Sequence, residues 1–187
     1  MSIRYTLDPE RSRFTVQAFA TGLLSGFAHS PTFAIRGFEG DMQFDPGARG
    51  HTSLNLTVRA DSLELTDKVS DKDRQEIQKA MREEVLETAR YPEISFHSTQ
   101  IAVTTIADNW FRVQLKGEMR LHGVTKSRDI DGQLRVGENE ARLSGDFMLP
   151  QTTFGIRRAS ALGGAIKVKD ELKFKFEIVG RSEVPNT

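Results

Sequence analysis

Phe111-Arg-Val-Gln-Leu-Lys-Gly-Glu-Met-Arg-Leu121 decides the fold, because apolar and polar side chains alternate along it without a break. Alternation with a period of two is typical of a β-strand that has one face in the core and one in solvent. Gly117 lies on the apolar face of this stretch and supplies no side chain there. The stretch therefore predicts a long strand whose dry face is interrupted at one position.

Three other runs repeat this pattern, each with a glycine in the middle of its apolar face. They are residues 38–44 with Gly40, residues 130–136 with Gly132 and residues 143–149 with Gly145. A glycine at such a position indicates either a sharp coil of the strand or a hole beside it. A hole inside an apolar barrel is a ligand site, so the two interpretations differ in what they say about function.

Alternating strands are also expected over residues 13–20, 53–60, 94–103 and 172–178. About eight strands joined mostly by short turns favour an all-β fold, a closed eight-stranded antiparallel barrel, over a sandwich.

One helix, at about residues 70–87, interrupts the β pattern. Ser70 is placed to cap its start, and Ile77, Ala80, Met81 and Val85 form a narrow apolar stripe on an otherwise charged segment. Such a stripe favours a surface helix that covers an edge or mouth of the sheet. The alternative is a lid over an opening.

The composition excludes several classes of function. The 187 residues are expected to form a single domain, 1–187, and 26 basic residues balance 26 acidic ones, which argues against a nucleic-acid partner. The absence of cysteine excludes disulfides and thiolate metal sites. We expect no transmembrane segment and no signal peptide, hence a cytoplasmic protein, or a periplasmic one if the chain is a processed form.

No constellation of residues demands catalysis. The four histidines lack the spacing of metal ligands, and no serine has an evident base partner, so no catalytic residue and no metal site are expected. His122 precedes a glycine in an apparent hairpin turn and is interpreted as a turn residue. His29 lies in an apolar stretch and could offer a polar contact to a ligand.

Six short motifs together resemble one known family. In chain order they are Tyr5-Thr-Leu-Asp-Pro9, residues 37–46 ending Gln43-Phe-Asp-Pro46, Tyr91-Pro-Glu-Ile-Ser-Phe-His-Ser98, Leu121-His-Gly-Val-Thr125, Phe154-Gly-Ile156 and Val168-Lys-Asp-Glu-Leu172. They are similar to the YceI-like family of polyisoprenoid-binding, lipocalin-like barrels. The resemblance implies an eight-stranded barrel whose apolar tunnel holds a long isoprenoid or similar chain, often in a homodimer, with no catalytic residues.

The expected ligand is a hydrophobic small molecule of the isoprenoid, isoprenoid quinone or fatty-acid type, with no other cofactor. A carrier, storage or sequestering role is the first hypothesis; an enzyme that acts on an apolar substrate, and an interaction protein without ligand, are the alternatives. The predicted ligand-binding residues are inward positions at and beside the glycines: Phe14, Val16, Phe38, Gly40, Met42, Leu115, Gly117, Met119, Gly132, Leu134, Gly145, Phe147, Phe174 and Phe176.

Overall fold

The computed structural model describes residues 2–21, 30–45, 52–161 and 166–182. Its first six strands, β1 to β6, are Ile3–Gln17, Ala20–Thr21, Thr32–Ile35, Phe38–Phe44, Ser53–Arg59 and Leu63–Leu65. The helix α1, Asp71–Ala80, continues as a wider π-helical turn, Met81–Val85. Strands β7 to β13 are Glu93–Ala107, Trp110–Leu121, Val124–Val136, Glu140–Pro150, Ser160–Ala161, Ile166–Val168 and Glu171–Ser182.

Eight of these strands close into an antiparallel barrel, which confirms the predicted fold. Their order around the wall is β1, β4, β5, β7, β8, β9, β10 and β13, and β13 pairs with β1 to complete the circle. The turns at residues 108–109 and 137–139 lie at one end of the barrel, here called the hairpin end. The opposite end, called the helix end, carries the turn at residues 122–123 and a 3-10 turn at Gln151–Phe154.

The first strand differs from its prediction at both ends. It begins at Ile3, well before the expected start at Arg13, because a register shift between Asp8 and Arg13 takes up an irregular segment without ending the strand. Ser12 stabilises this bulge, since its hydroxyl donates to the Asp8 carbonyl and accepts from the Val179 amide. The strand ends at Gln17, and β2 belongs to a separate three-stranded sheet with β11 and β12.

The helix covers an edge of the sheet, as the thin apolar stripe predicts. Strand β6 is the last strand of the described sheet and pairs with β3 along one edge. The helix α1 lies against the other edge of β6. The side chain of Gln78 accepts from the Leu65 amide at 3.1 Å, and the Arg74 guanidinium donates to the Leu65 carbonyl. The helix thus satisfies backbone groups that an additional strand would otherwise pair with.

Ser70 caps the helix as predicted. Its hydroxyl oxygen accepts from the Asp73 amide at 3.1 Å and donates to the Asp73 carboxylate at 2.7 Å. None of the ten residues of α1 is buried, whereas Met81 in the following turn reaches the core. The helix is therefore a surface element that is attached to the barrel mainly through its C-terminal turn.

The core lies inside the barrel and is built by the strict alternation that the sequence predicts. Along β8 every second side chain from Phe111 to Leu121 points inward and is buried, and the intervening residues are exposed. The same alternation holds on β5 and on the second half of β9. The inward positions of all eight strands form one continuous hydrophobic cluster.

Candidate ligand-binding site

The centre of the barrel contains a small cavity with an entirely apolar lining. Its volume is about 40 Å³. It is bounded by side chains of β1, β5, β7, β8, β9, β10 and β13, namely Phe14, Leu54, Leu56, Phe96, Leu115, Met119, Ile130, Leu143, Phe147, Phe176 and Ile178. A site of this kind excludes water and selects a ligand by shape and hydrophobicity.

Five of the predicted ligand-binding residues line this cavity: Phe14, Leu115, Met119, Phe147 and Phe176. Four others are buried in the same core without bordering the cavity: Val16, Phe38, Met42 and Leu134. Phe174 packs partly buried against that core. The structure thus brings the predicted apolar side chains into one interior, and their contact with a ligand stays a prediction.

Six lining residues lie outside the predicted set: Leu54, Leu56, Phe96, Ile130, Leu143 and Ile178. All six occupy apolar positions of alternating runs, so the signal that identifies them is the same period of two. Three of the six lie on β5 and β7, which contain no glycine and supply no predicted residue, and the other three are further inward positions of β9, β10 and β13.

The glycines are filled positions, not holes. A Cβ atom on Gly117 would lie 2.6 Å from Cζ of Phe96 and closer still to the His97 carbonyl oxygen. A Cβ on Gly145 would lie 2.6 Å from the Asp131 carbonyl oxygen and 2.8 Å from Cζ of Phe176.

Gly132 and Gly40 are crowded in the same way. A Cβ on Gly132 would lie 3.0 Å from the Ser144 carbonyl oxygen. Gly40 has a φ of 148°, and a Cβ there would overlap the Asn55 carbonyl oxygen. Of the two interpretations of the glycines, the structure therefore supports sharp coiling and close approach of strands, and the cavity lies elsewhere.

An aromatic cluster lies in the half of the interior that is nearer the helix end. The rings of Phe147 and Phe174 are stacked with centroids 4.8 Å apart and an interplanar angle of 3°. Phe14 meets Phe176 edge to face at 6.3 Å. Phe147 lines the cavity, and both Phe147 and Phe174 are only partly buried.

His122 is the turn residue that the sequence predicts, and it anchors the helix end. Its backbone is left-handed, with a φ of 51°, and its Nε2 lies 2.8 Å from a carboxylate oxygen of Glu87. The Tyr91 ring packs on the imidazole at 4.3 Å and leaves no room for a side chain at Gly123. Two of the family motifs therefore meet here in a structural contact.

A second contact closes the same end. The Asp170 carboxylate accepts from the amide and the hydroxyl of Thr152, at 2.9 and 2.8 Å, and these bonds lower the pKa of Asp170. Phe154 and Ile156 are buried beside it. Phe154, Ile156 and Asp170 come from the last two family motifs, which again have a structural explanation.

At the hairpin end the described contacts are ion pairs of Glu140 and the buried side chain of Tyr5. Glu140 accepts from Arg142 at 2.9 Å and lies 2.8 Å from Arg11, and these cations lower the pKa of Glu140. Tyr5 is fully buried, and burial raises the pKa of its phenol.

The described residues offer no metal-binding constellation. No group of three His, Asp or Glu side chains in this part of the chain could hold a metal ion. His97 is exposed and its Nδ1 lies 3.2 Å from Oδ1 of Asn55. His29, the candidate polar contact, lies outside the described residues, as does His51. Among the described helices, none is long and apolar enough to cross a membrane.

Solved structures with this fold come from several bacteria. BcnA of Burkholderia cenocepacia superimposes with a TM-score of 0.70 at 17% identity, over 92% of this chain and 98% of that chain. A polyisoprenoid binding domain from Saccharophagus degradans, implicated in plant cell wall breakdown, has a TM-score of 0.68 at 12% identity over 96% of this chain and 99% of that chain. A YceI protein of Campylobacter jejuni has a TM-score of 0.59 at 13% identity, over 80% of this chain and 84% of that chain.

These identities show a shared fold, and the sequence itself shows the family. A comparison with curated proteins finds no match. The model of the YceI-like domain family matches residues 5–180, nearly the whole chain, and this span includes all thirteen strands except the ends of β1 and β13. The protein therefore belongs to the YceI-like family.

Proposed function

We propose that this protein binds a long-chain amphiphilic lipid inside its barrel, as a carrier, storage or sequestering protein. The ligand is an isoprenoid, an isoprenoid quinone or a fatty-acid derivative. The observation that carries the proposal is the cavity at the centre of the closed wall, where all eleven lining side chains are apolar. The solved domain from Saccharophagus degradans described as polyisoprenoid binding has the same fold, which supports the proposal.

The lining must rearrange to admit such a ligand. Pockets for ligands of drug size have volumes of roughly 300–1,000 Å³, and the cavity measures about 40 Å³. The side chains best suited to move are the partly buried Phe147 and Phe174 and the unbranched Met119. Rotation of the stacked Phe pair would open the cavity toward the helix end.

Burial of the apolar chain is the driving force available for this rearrangement. Twenty carbons moved from water into an apolar interior contribute on the order of 15 kcal/mol at about 0.8 kcal/mol per methylene, before association costs of comparable size are subtracted. The affinity therefore depends on hydrophobic area, and no precise set of polar contacts is required.

The direct test is identification of what the protein carries. Native mass spectrometry of purified protein, followed by solvent extraction, should release a lipid in stoichiometric amount. Reconstitution of extracted protein with cis-parinaric acid should then restore binding, measured as an increase of the fluorescence of the polyene.

A matched pair of variants locates the binding. Leu56→Phe adds volume to the cavity lining and should reduce uptake of cis-parinaric acid, whereas Ile106→Phe enlarges a side chain that is 42% exposed and should leave it unchanged. Uptake that survives in folded Leu56→Phe, or protein that neither carries nor binds any lipid, would contradict the proposal.

We also propose a homodimer, on the strength of the family resemblance alone. Sedimentation equilibrium over a hundredfold range of concentration checks it, and a monomer throughout that range would rule it out.

A further inference from the structure

The hydrogen-bonded ladder between β9 and β10 covers only part of the length of these two strands. Strands β9 and β10 form a ladder only where residues 133–136 face residues 141–144. Beyond Gln133 and Ser144 both strands continue toward the helix end, β9 paired with β8 and β10 paired with β13, without a described ladder between them. The backbones of the two strands stay in close contact at Gly132 and Gly145. We call the unpaired region beyond this contact, residues 124–130 and 146–150, the seam.

The seam lies directly beside the cavity. Ile130 on its β9 side and Phe147 on its β10 side both line the cavity. Met148, the next residue on β10, is 40% exposed. The seam is therefore a route from the apolar interior to the surface.

A basic side chain occupies this route. Arg128 falls on the inward face of β9, because it alternates with the buried Ile130, Gly132 and Leu134. Its guanidinium spans the seam and donates to the Met148 carbonyl. Its Nε is buried and makes no hydrogen bond within the described part of the chain.

Arg128 lacks a counter-charge among the described residues, in which no ion pair involves it. The nearest carboxylates along the two strands, those of Asp129 and Asp131 on β9 and Asp146 on β10, alternate to the outer face, and Asp146 pairs with Lys173 at 3.6 Å. Lys126 adds a second cation on the face of Arg128, opposite Met119 of β8.

We propose that the seam holds the head group of the ligand, and that this head group is an anionic oxygen group, a carboxylate or a phosphate, bound by Arg128. This inference rests on the proposed function, since it assigns the polar end of the same ligand. The apolar chain would extend inward past Ile130 and Phe147. A guanidinium with a free, buried N–H is suited to such a group, because it can donate two parallel hydrogen bonds to a carboxylate or phosphate while remaining fully charged.

Binding of this kind also resolves an energetic cost in the structure. A buried donor without an acceptor, here Nε of Arg128, loses solvation that the described residues do not replace. An anion at the seam would supply both the acceptor and the counter-charge. A purely structural role, in which Arg128 only bonds the Met148 carbonyl, would leave Nε without an acceptor.

Two pairs of probes that differ only at the head group test the assignment. The first pair is cis-parinaric acid and its methyl ester, and the second is farnesyl monophosphate and farnesol, used as competitors of the ester. We expect the wild type to prefer at least one anionic member by about tenfold, as charge-assisted hydrogen bonds allow. The pair that shows the preference distinguishes a carboxylate from a phosphate.

The variants Arg128→Met and Arg120→Met remove the same charge near the same end of the barrel. Arg120 is exposed on the outer face of β8, so its loss should leave the preference intact, whereas Arg128→Met should abolish the preference and retain binding of the neutral probes. Arg128→Lys keeps the positive charge but lacks the paired N–H donors of the guanidinium, so it should retain part of the preference for the anionic probe. The comparison of probes on the wild-type protein tests the head-group site even if a variant does not fold.

The outcomes separate this inference from the proposed function. Equal binding of charged and neutral probes by the wild type, or a preference that survives in Arg128→Met, would overturn the head-group site and leave lipid binding standing. Failure of all four probes to bind would overturn both.

Discussion

Replacement of Gly117 by alanine distinguishes a hole in the barrel from a close contact between strands. If Gly117 faced empty space, the added methyl group would stabilise the protein by about 0.4–1 kcal/mol, because alanine restricts the unfolded chain more than glycine does. In the structure the methyl carbon would overlap the His97 carbonyl oxygen and lie 2.6 Å from Cζ of Phe96. The His97 carbonyl cannot retreat without disturbing the pairing of β7 with β8, and the Phe96 ring would have to turn away.

We therefore expect Gly117→Ala to lower the free energy of unfolding by about 2 kcal/mol, in the range of overpacked cores. For a domain of this size, that corresponds to a Tm lower by about 4–8 °C. Urea denaturation followed by circular dichroism measures the first quantity, and calorimetry measures the second.

Gly137→Ala is the matched control, since a Cβ there would lie at an ordinary 3.4 Å from the Glu140 carbonyl oxygen. This variant should be neutral within about 0.5 kcal/mol. If Gly117→Ala proved as stable as the wild type, or if both variants lost the same stability, the packing argument would be refuted.

Three further experiments test contacts outside the cavity. Asp170→Asn should reduce stability at pH 7 by about 1 kcal/mol. The bonds from Thr152 lower the pKa of Asp170 in the folded state. The extra stability of the wild type over the variant is therefore complete above pH 3.8, the ordinary pKa of the group, and is lost as the pH falls through the folded-state pKa. Urea titrations at several pH values measure this loss. Ser70→Ala should cost about 1 kcal/mol by removing the helix cap, and an unchanged denaturation midpoint would show that α1 does not depend on it. In a double-mutant cycle with alanine, His122 and Glu87 should couple by about 1 kcal/mol, whereas additive losses would mean that their 2.8 Å contact contributes nothing.

The alternating pattern predicts the inward face of the barrel well, because a buried face requires the same period in the sequence as in the strand. The inward residues of β8 are an example: all of them from Phe111 to Leu121 are where the pattern places them. The cap at Ser70 and the turn at His122 also follow from local chemistry. The fold class and the side chains that form the interior are therefore accessible from the sequence.

The space inside the barrel is not accessible in the same way. Whether Gly117 borders a hole or a neighbouring strand depends on the coiling of the whole wall, which no local pattern records. Arg128 lies two residues before Ile130 in the sequence, which places it on the inward face of β9. Its environment, however, depends on where the β9–β10 ladder ends. These features depend on contacts between distant parts of the chain.

The pairing of β1 with β13 has a consequence for the order in which the protein can fold. Thr15 pairs with Lys175, so closing the wall requires contact between segments about 160 residues apart. During synthesis β13 leaves the ribosome long after β1. Until then, the earlier strands can form only an open sheet with unpaired edges. Topologies of this kind fold slowly and expose aggregation-prone edges meanwhile. The last step of folding in this protein is therefore expected to be the closure of the circle by its C-terminal strand.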